Sequence, residues 1–375
     1  MHQTAAKVWV APPDLAPQPR PTHHALASAA VLAVDIQRKD EPMTTHGRSD
    51  KIGVVLVNTG TPKSTDTGDV RRYLRQFLSD PRVIDLHPLA RFLLLELIIL
   101  PFRPAKSAHA YKRIWTTRGS PLLTNGIDLV AGVQAAFGDT AVVRLGMQFG
   151  QPSIPDALDD LQAQGIDRVA ILPLFPQYAA ASFGSAAAAA LSHAASRWTV
   201  PQVHIVAPFF DHPGFVQTLA DHAKRHLTAL QPDHILLSYH GVPERHCKKT
   251  DTTGQHCLQR PDCCDTLVTA NRNCYRAQCM ETSRQLMQLL QLDPATTSTC
   301  FQSRLGRTPW IKPYTDDVIV QLGKQGVRKV AVLEPSFVAD CLETLEEIGM
   351  RGAEDFVAAG GGSLHLVPAL NAEPA

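Results

Sequence analysis

Three groups of side chains in this sequence have the types and spacing that chemistry requires. The first is a single histidine. His240 follows the β-branched, apolar run Ile235-Leu236-Leu237-Ser238-Tyr239 and precedes Gly241-Val242-Pro243. A histidine leaving the carboxyl end of a strand, backed by glycine and a turn-forming proline, is aimed into the cleft that such a strand end borders. There it can accept a proton near neutral pH or ligate a metal. The chain has 16 histidines, so position and not residue type singles this one out. The second group is a carboxylate row after the run 329–333: Asp340, Glu343 and Glu347, spaced i, i+3 and i+7, with Gly349 as a stop. On an α-helix these fall on one face, where like charges repel. The bland account is a solvated acidic face. The sharper one is a row that carries cations inward or protons outward and uses the repulsion to raise its pKa values.

The third group is thiols. Cys247, Cys257, Cys263, Cys264, Cys274 and Cys279 crowd a polar insertion, 246–280, with no strand or helix pattern until about Asn273. Their C-x5-C-C-x9-C-x4-C spacing does not fit the paired C-x2-C knuckles of common zinc sites. Four irregularly spaced thiolates suit an iron–sulfur cluster; zinc or no metal stay open. Cys247, Cys300 and Cys341 are explained singly, as a loop thiol, a buried strand residue and a site-wall residue.

The elements that must position these groups follow from periodicity. Short β-branched runs at 52–58, 142–149, 169–175, 203–207, 235–239, 297–302, 330–333 and 364–367 alternate with helical patterns. Continuous apolar strands separated by helices predict an α/β protein with parallel sheets covered on both faces. Segments 164–172 and 325–333 read alike, each a helix end, a glycine and a buried strand, so one architecture is repeated. The expected division is a flexible N-terminal tail (1–50), halves at 51–190 and 191–345, and a C-terminal segment (346–375) packing back. Neither half has a G-x-G-x-x-G turn or a phosphate-binding G-x-x-x-x-G-K loop, which argues against nucleotide binding.

Lys plus Arg number 36 against 35 Asp plus Glu in 375 residues, so net charge directs the chain to neither nucleic acid nor anionic membrane. The greasiest run, from Phe92 to Leu100, is interrupted by Glu96 and stopped by Pro101, too short to span a bilayer. It is either core or an exposed patch for a flat apolar ligand or a membrane surface. The apolar run at 25–34 lacks the compact basic start of a secretory signal, and Met43 is an alternative start. A cytoplasmic chain is expected, and eight cysteines in a reducing compartment favour metal binding or redox chemistry over disulfides.

Together these stretches resemble ferrochelatase, the enzyme that inserts Fe²⁺ into a porphyrin at the end of haem synthesis. The resemblance rests on VVLVNTGTP (54–62), VRRYLRQFLSDPRVI (70–84), YKRIW (111–115), GSPLL (119–123), LPLFPQYAAASFGS (172–185), FFDHPGF (209–215), LLSYHGVPERH (236–246), FQSRLGRTPW (301–310) and ADCLETLEEI (339–348). It implies two similar flavodoxin-like or Rossmann-like four-stranded halves, the class II chelatase fold, with protoporphyrin bent in the cleft between them. It further implies His240 as the catalytic proton acceptor or iron ligand, Glu343 as its partner on the substrate Fe²⁺, and Asp340 and Glu347 extending an acidic path. Thr59, Ser120 and Tyr178 would line the porphyrin pocket, and the run from Phe92 to Leu100 would form a lip able to touch a membrane peripherally. No dissociable organic cofactor is implied. Some microbial relatives hold a [2Fe–2S] cluster through an internal segment, which makes Cys257, Cys263, Cys264 and Cys274 the first choice of ligands and Cys279 a substitute. Two departures stand out: Cys341 replaces a histidine found in some relatives, and the cluster cysteines of animal relatives' C-termini are missing. Rival readings are a chelatase for coproporphyrin or for cobalt, and a non-catalytic protein whose thiol segment is a zinc module for a partner.

Overall fold

The computed structural model describes residues 50–306 and 308–373. The N-terminal stretch read as a flexible tail, including 25–34, lies outside the described residues. All eight expected strands form, as two four-stranded sheets in which every pairing is parallel. The first contains β1 (Ile52–Gly60), β2 (Ala141–Phe149), β3 (Arg168–Pro173) and β4 (Gln202–Ile205), in the order β2-β1-β3-β4. The second contains β5 (His234–His240), β6 (Thr297–Gln302), β7 (Lys329–Leu333) and β8 (Ser363–Leu366), in the order β6-β5-β7-β8. The first sheet's strands thus run to Ile205, beyond the division placed at 190, and the stretch 346–375 contributes an edge strand to the second.

The two orders are the same pattern, and the registers show how far the repeat extends. Leu56 pairs with Leu172 and Leu237 with Leu333. Because 164–172 and 325–333 are the repeated segments, Thr59-Gly60 at the end of β1 corresponds to His240-Gly241 at the end of β5. Both glycines are required by close backbone approach. A Cβ on Gly60 would fall 1.7 Å from the Phe149 carbonyl oxygen, and one on Gly241 would fall 2.8 Å from that of Gln302. Each central strand therefore ends pressed against its neighbour, beside the point where the strand order reverses, which is where ligands settle in open α/β sheets.

Alternate residues of each strand face opposite layers. In the second sheet Leu236, Val330 and Val332 join Phe356 on one side, while Leu237, Tyr239 and Leu333 join the thiols on the other. The cysteine segment is thus core material over one face of the sheet that ends in His240.

The halves also touch directly. Tyr73, Leu95, Leu100 and Tyr111 of the first pack against Leu342, Leu345 and Met350 of the second. Asp85, ahead of the apolar run, accepts from Arg245 Nε at 2.7 Å and Lys249 Nζ at 2.8 Å. That ties the start of the run to the helix Glu244–Thr250, which begins four residues after His240. Among the described residues no helix is long and apolar enough to cross a membrane.

Candidate active site

His240 is half-buried at the carboxyl end of β5. Its N–H donates to Ser336 Oγ at 3.2 Å, and the ring lies 6.4 Å, centre to centre, from both Trp310 and Phe337. Nδ1 is 2.6 Å from the Gly241 carbonyl oxygen. An acceptor at that distance fixes the neutral ring with its hydrogen on Nδ1, so Nε2 keeps a free lone pair. The strand end thus presents a base or a metal ligand between two aromatic rings.

The acidic row differs from the expected α-helical face. Glu343–Gly352 is a π-helix, and Asp340 lies before it. The three carboxylates accordingly separate by role. Asp340, 7% exposed, accepts from Asn371 Nδ2 at 2.8 Å, Thr344 Oγ1 at 3.0 Å and the Ala369 N–H at 3.3 Å, which anchors the C-terminal segment. Glu347 accepts from Ser303 N–H at 2.8 Å and Ser303 Oγ at 2.7 Å. Burial pushes its carboxyl up, while Ser303 and then the nearby His240 pull the other way. Glu343 lies beside the Cys341 thiol, and its main-chain carbonyl accepts from Gln302 Nε2 at 3.1 Å. Gln302 is the register partner of His240, so one residue links both ends of the chemistry. Burial first, and the Glu343 charge next, hold the Cys341 thiol well above its usual range, so it is neutral.

The first half supplies the facing wall. Thr59 is partly buried, and Ser120, almost fully buried, accepts from Thr61 Oγ1 at 2.8 Å ahead of the helix Pro121–Phe137. Tyr178, stacked obliquely on Phe183 at 5.5 Å, stands in the loop after β3. Tyr73, Tyr111 and Arg103, which sequence reasoning missed, all lie in the field of Glu343. The apolar run turns out to be exposed, with Leu97 at 65% and Ile98 at 60%, while Leu95 and Leu100 are buried as its root. A π-turn at Leu94–Ile99 inserts there, and Glu96 pairs with Arg75 at 2.8 Å.

A further residue missed from sequence is Glu334, directly after β7. It is 6% exposed, and neither carboxyl oxygen has a hydrogen-bond partner, although the committed Gln302 amide lies beside it. Its signal was available: a carboxylate between a buried strand and a proline. A cavity of about 460 Å³ lined by Glu244, Arg304, Lys312 and Tyr314 shares Trp310 with the His240 site.

All eight cysteines are free and buried. Cys274 lies within reach of Cys247, Cys257 and Cys264, and the sulfurs of Cys263 and Cys264 are 3.7 Å apart. Cys247, treated singly from sequence, thus belongs to the group. Cys279 instead sits on the helix Tyr275–Leu290 against Tyr275. Among the described residues no three His, Cys, Asp or Glu side chains are arranged to hold one metal ion. The segment is ordered by Asp251, which accepts from the N–H groups of Thr253, His256 and Cys257, and by Asn271, which donates to the Cys263 and Thr266 carbonyls.

A family model described as Ferrochelatase matches residues 51–375. A ferrochelatase of Pseudomonas entomophila (strain L48) is 47% identical over 325 residues, 86% of this chain and 95% of its own. One of Legionella pneumophila (strain Philadelphia 1) is 46% identical over 324 residues, covering 86% and 95%. One of Coxiella burnetii (strain CbuK_Q154) is 44% identical over 326 residues, covering 87% and 91%.

Proposed function

The chain belongs to the ferrochelatase family, and on that premise we propose that His240 removes the inner protons of protoporphyrin while Glu343 helps seat the entering Fe²⁺. The enzyme is a lyase of haem biosynthesis. Its reaction exchanges two pyrrole N–H protons for one ferrous ion, and a flat macrocycle resists because its nitrogen lone pairs lie in the ring plane. Bending exposes those lone pairs and loosens the protons, so a cleft that holds the bent ring favours a form close to the transition state. The observation that carries the reading is the Nδ1–H bond to the Gly241 carbonyl, which leaves Nε2 open at the sheet edge where a ligand settles. A proton taken there meets the buried carboxyl of Glu347, whose charge already interacts with His240. Asp340, with three donors on its carboxylate, is better read as an anchor than as a step on that path.

His240→Ala, assayed anaerobically with Fe²⁺ and protoporphyrin, is expected to lose insertion while still quenching porphyrin fluorescence on binding. Ordinary turnover in that variant would remove His240 from the mechanism. Thr59, Ser120 and Tyr178 are proposed as pocket wall. The exposed Phe92, Leu97 and Ile98 are proposed as a lip that rests on a lipid surface, where a poorly soluble product is handed over. Replacing Phe92 and Leu97 by serine should reduce vesicle co-sedimentation without changing turnover in detergent.

The thiol segment fits a [2Fe–2S] cluster on its donor chemistry: buried sulfurs in close pairs and a guanidinium, Arg276, beside Cys264 to balance negative charge. Cys257, Cys263, Cys264 and Cys274 would hold it, with Cys247 as the fifth thiol in reach. Such a cluster supplies one-electron redox chemistry and a covalent tie between loop segments. Neighbouring Cys247 first among several causes pushes the Cys274 thiol up to about 12, so loading must release protons. Single Cys→Ser changes read by visible absorption separate ligands from bystanders, with Cys279→Ser keeping its colour.

A further inference from the structure

The helix 275–290 has Cys274 as its N-terminal flanking residue, and it touches both walls of the cleft. Gln278, one turn in and 2% exposed, uses both ends of its amide. Its Nε2 donates to the Arg272 carbonyl of the thiol segment at 2.6 Å, and its Oε1 accepts the N–H of Tyr178 at 2.6 Å. Tyr178 belongs to the loop after β3, in the other half of the molecule. A turn later Thr282, also buried, accepts from Gln177 Nε2 at 3.1 Å. At the start of the same helix the Tyr275 hydroxyl is within reach of Ser336, which holds the His240 N–H at 3.2 Å.

We propose that Gln278 is a positioning residue, one that couples the ordering of the thiol segment to the porphyrin-facing wall at Tyr178. Both of its hydrogen bonds are short and made to backbone atoms from a buried amide, so the loop and the wall cannot shift independently while the amide holds. Coupling of this kind is reciprocal: a ligand that settles the wall must also settle the thiols. The inference rests on the cleft being the porphyrin site, and the experiment distinguishes the two.

The full chain would be titrated with protoporphyrin by fluorescence quenching, and backbone amide hydrogen exchange followed across 251–274 with and without saturating porphyrin. Wild type that fails to bind porphyrin rejects the reading of the cleft itself. Given binding, porphyrin should slow exchange in 251–274 in wild type. Gln278→Leu, similar in volume but without either bond, should bind porphyrin about tenfold more weakly, with KM rising by the same factor and kcat within about twofold, and its exchange in 251–274 should no longer respond to porphyrin. Gln278→Glu, which keeps an acceptor for the Tyr178 N–H but loses the donor to the Arg272 carbonyl, should recover most of the affinity and still lose the porphyrin-dependent protection of 251–274. Wild-type affinity in Gln278→Leu, or exchange in wild type that ignores porphyrin, overturns the proposal. Should Gln278→Leu not fold, Gln278→Glu and the wild-type protection experiment decide it.

Discussion

The two halves share a strand order, a register and a tight glycine at the end of the central strand, yet their clefts are furnished differently. Where β5 carries His240, β1 carries Thr59 at the equivalent position. Where β7 opens into Glu334 and the acidic π-helix, β3 opens into the Gln177-Tyr178 loop with its neutral, aromatic wall. In the proposed reading the first half contributes shape and apolar surface, and the second contributes proton acceptors and charge. A planar, mostly apolar substrate accounts for the asymmetry. A matching carboxylate row in the first half would lie against the ring and require desolvation with nothing to pair it. One set of chemical groups therefore suffices, and the duplicated scaffold serves to make two walls.

The largest expected effect comes from the equivalent pair. His240→Ala should lower kcat/KM by about three orders of magnitude or more, the range for loss of a general base together with a metal contact, whereas Thr59→Ala should stay within roughly fivefold. A Thr59→His exchange in the His240→Ala background should not restore turnover, because the Ser336 and Gly241 contacts that orient the imidazole are made at the end of β5. Recovery there would show the halves to be interchangeable and the comparison to be wrong. Next in size, Glu343→Gln should cost about a hundredfold in kcat and Glu347→Gln about tenfold. Glu347 keeps its bonds to Ser303 either way, whereas the Glu343 carboxylate lies beside the Cys341 thiol and, in the proposed reading, meets substrate. Similar losses in the two variants would argue for a shared path in place of distinct roles.

Asp340→Ala tests a different property. Three donors, Asn371, Thr344 and Ala369, converge on that carboxylate, so the change should remove about 1–3 kcal/mol of stability through groups left unpaired, with activity falling no more than the fraction unfolded. Denaturant titration alongside the insertion assay separates the two. A stable but inactive variant would return Asp340 to the acidic path.

Much of this was legible in the sequence because period and punctuation are local. The β-branched runs fix eight strands, and the repeated helix–glycine–strand segments announce the duplication. The position of His240 before Gly241 and Pro243 marks it out among its kind. The acidic row misled in detail because i, i+3, i+7 spacing assumes 3.6 residues per turn, and the wider π-helix puts Glu343 and Glu347 on a different footing from Asp340. Tyr73, Tyr111 and Arg103 were missed for another reason. Their significance lies in what they face across the cleft, and no spacing in a linear chain encodes that. The same holds for Cys247, whose neighbour Cys274 is far along the chain.

The smallest effect sharpens the comparison at the exits of β3 and β7. Burial first, with the Gln302 amide next and pulling the other way, and then the charges of Asp340, Glu347 and Glu343 leave the Glu334 carboxyl well above its ordinary 4.5. Raised in the folded state, this group is protonated in both states below 4.5, so its share of stability is complete there. As pH climbs, the unfolded chain ionises first and is favoured, and stability drains until the folded carboxyl ionises too. Glu334→Gln cannot ionise and should escape the loss. Its melting temperature should match wild type near pH 4 and exceed it by roughly 2 °C or more near pH 8. The equivalent residue in the first half is Pro173, buried and without an ionisable group, so no such pH-dependent gain is available there. Equal melting of wild type and Glu334→Gln at both pH values would mean that water or a cation reaches this carboxyl, and the second wall would then be wetter than its burial suggests.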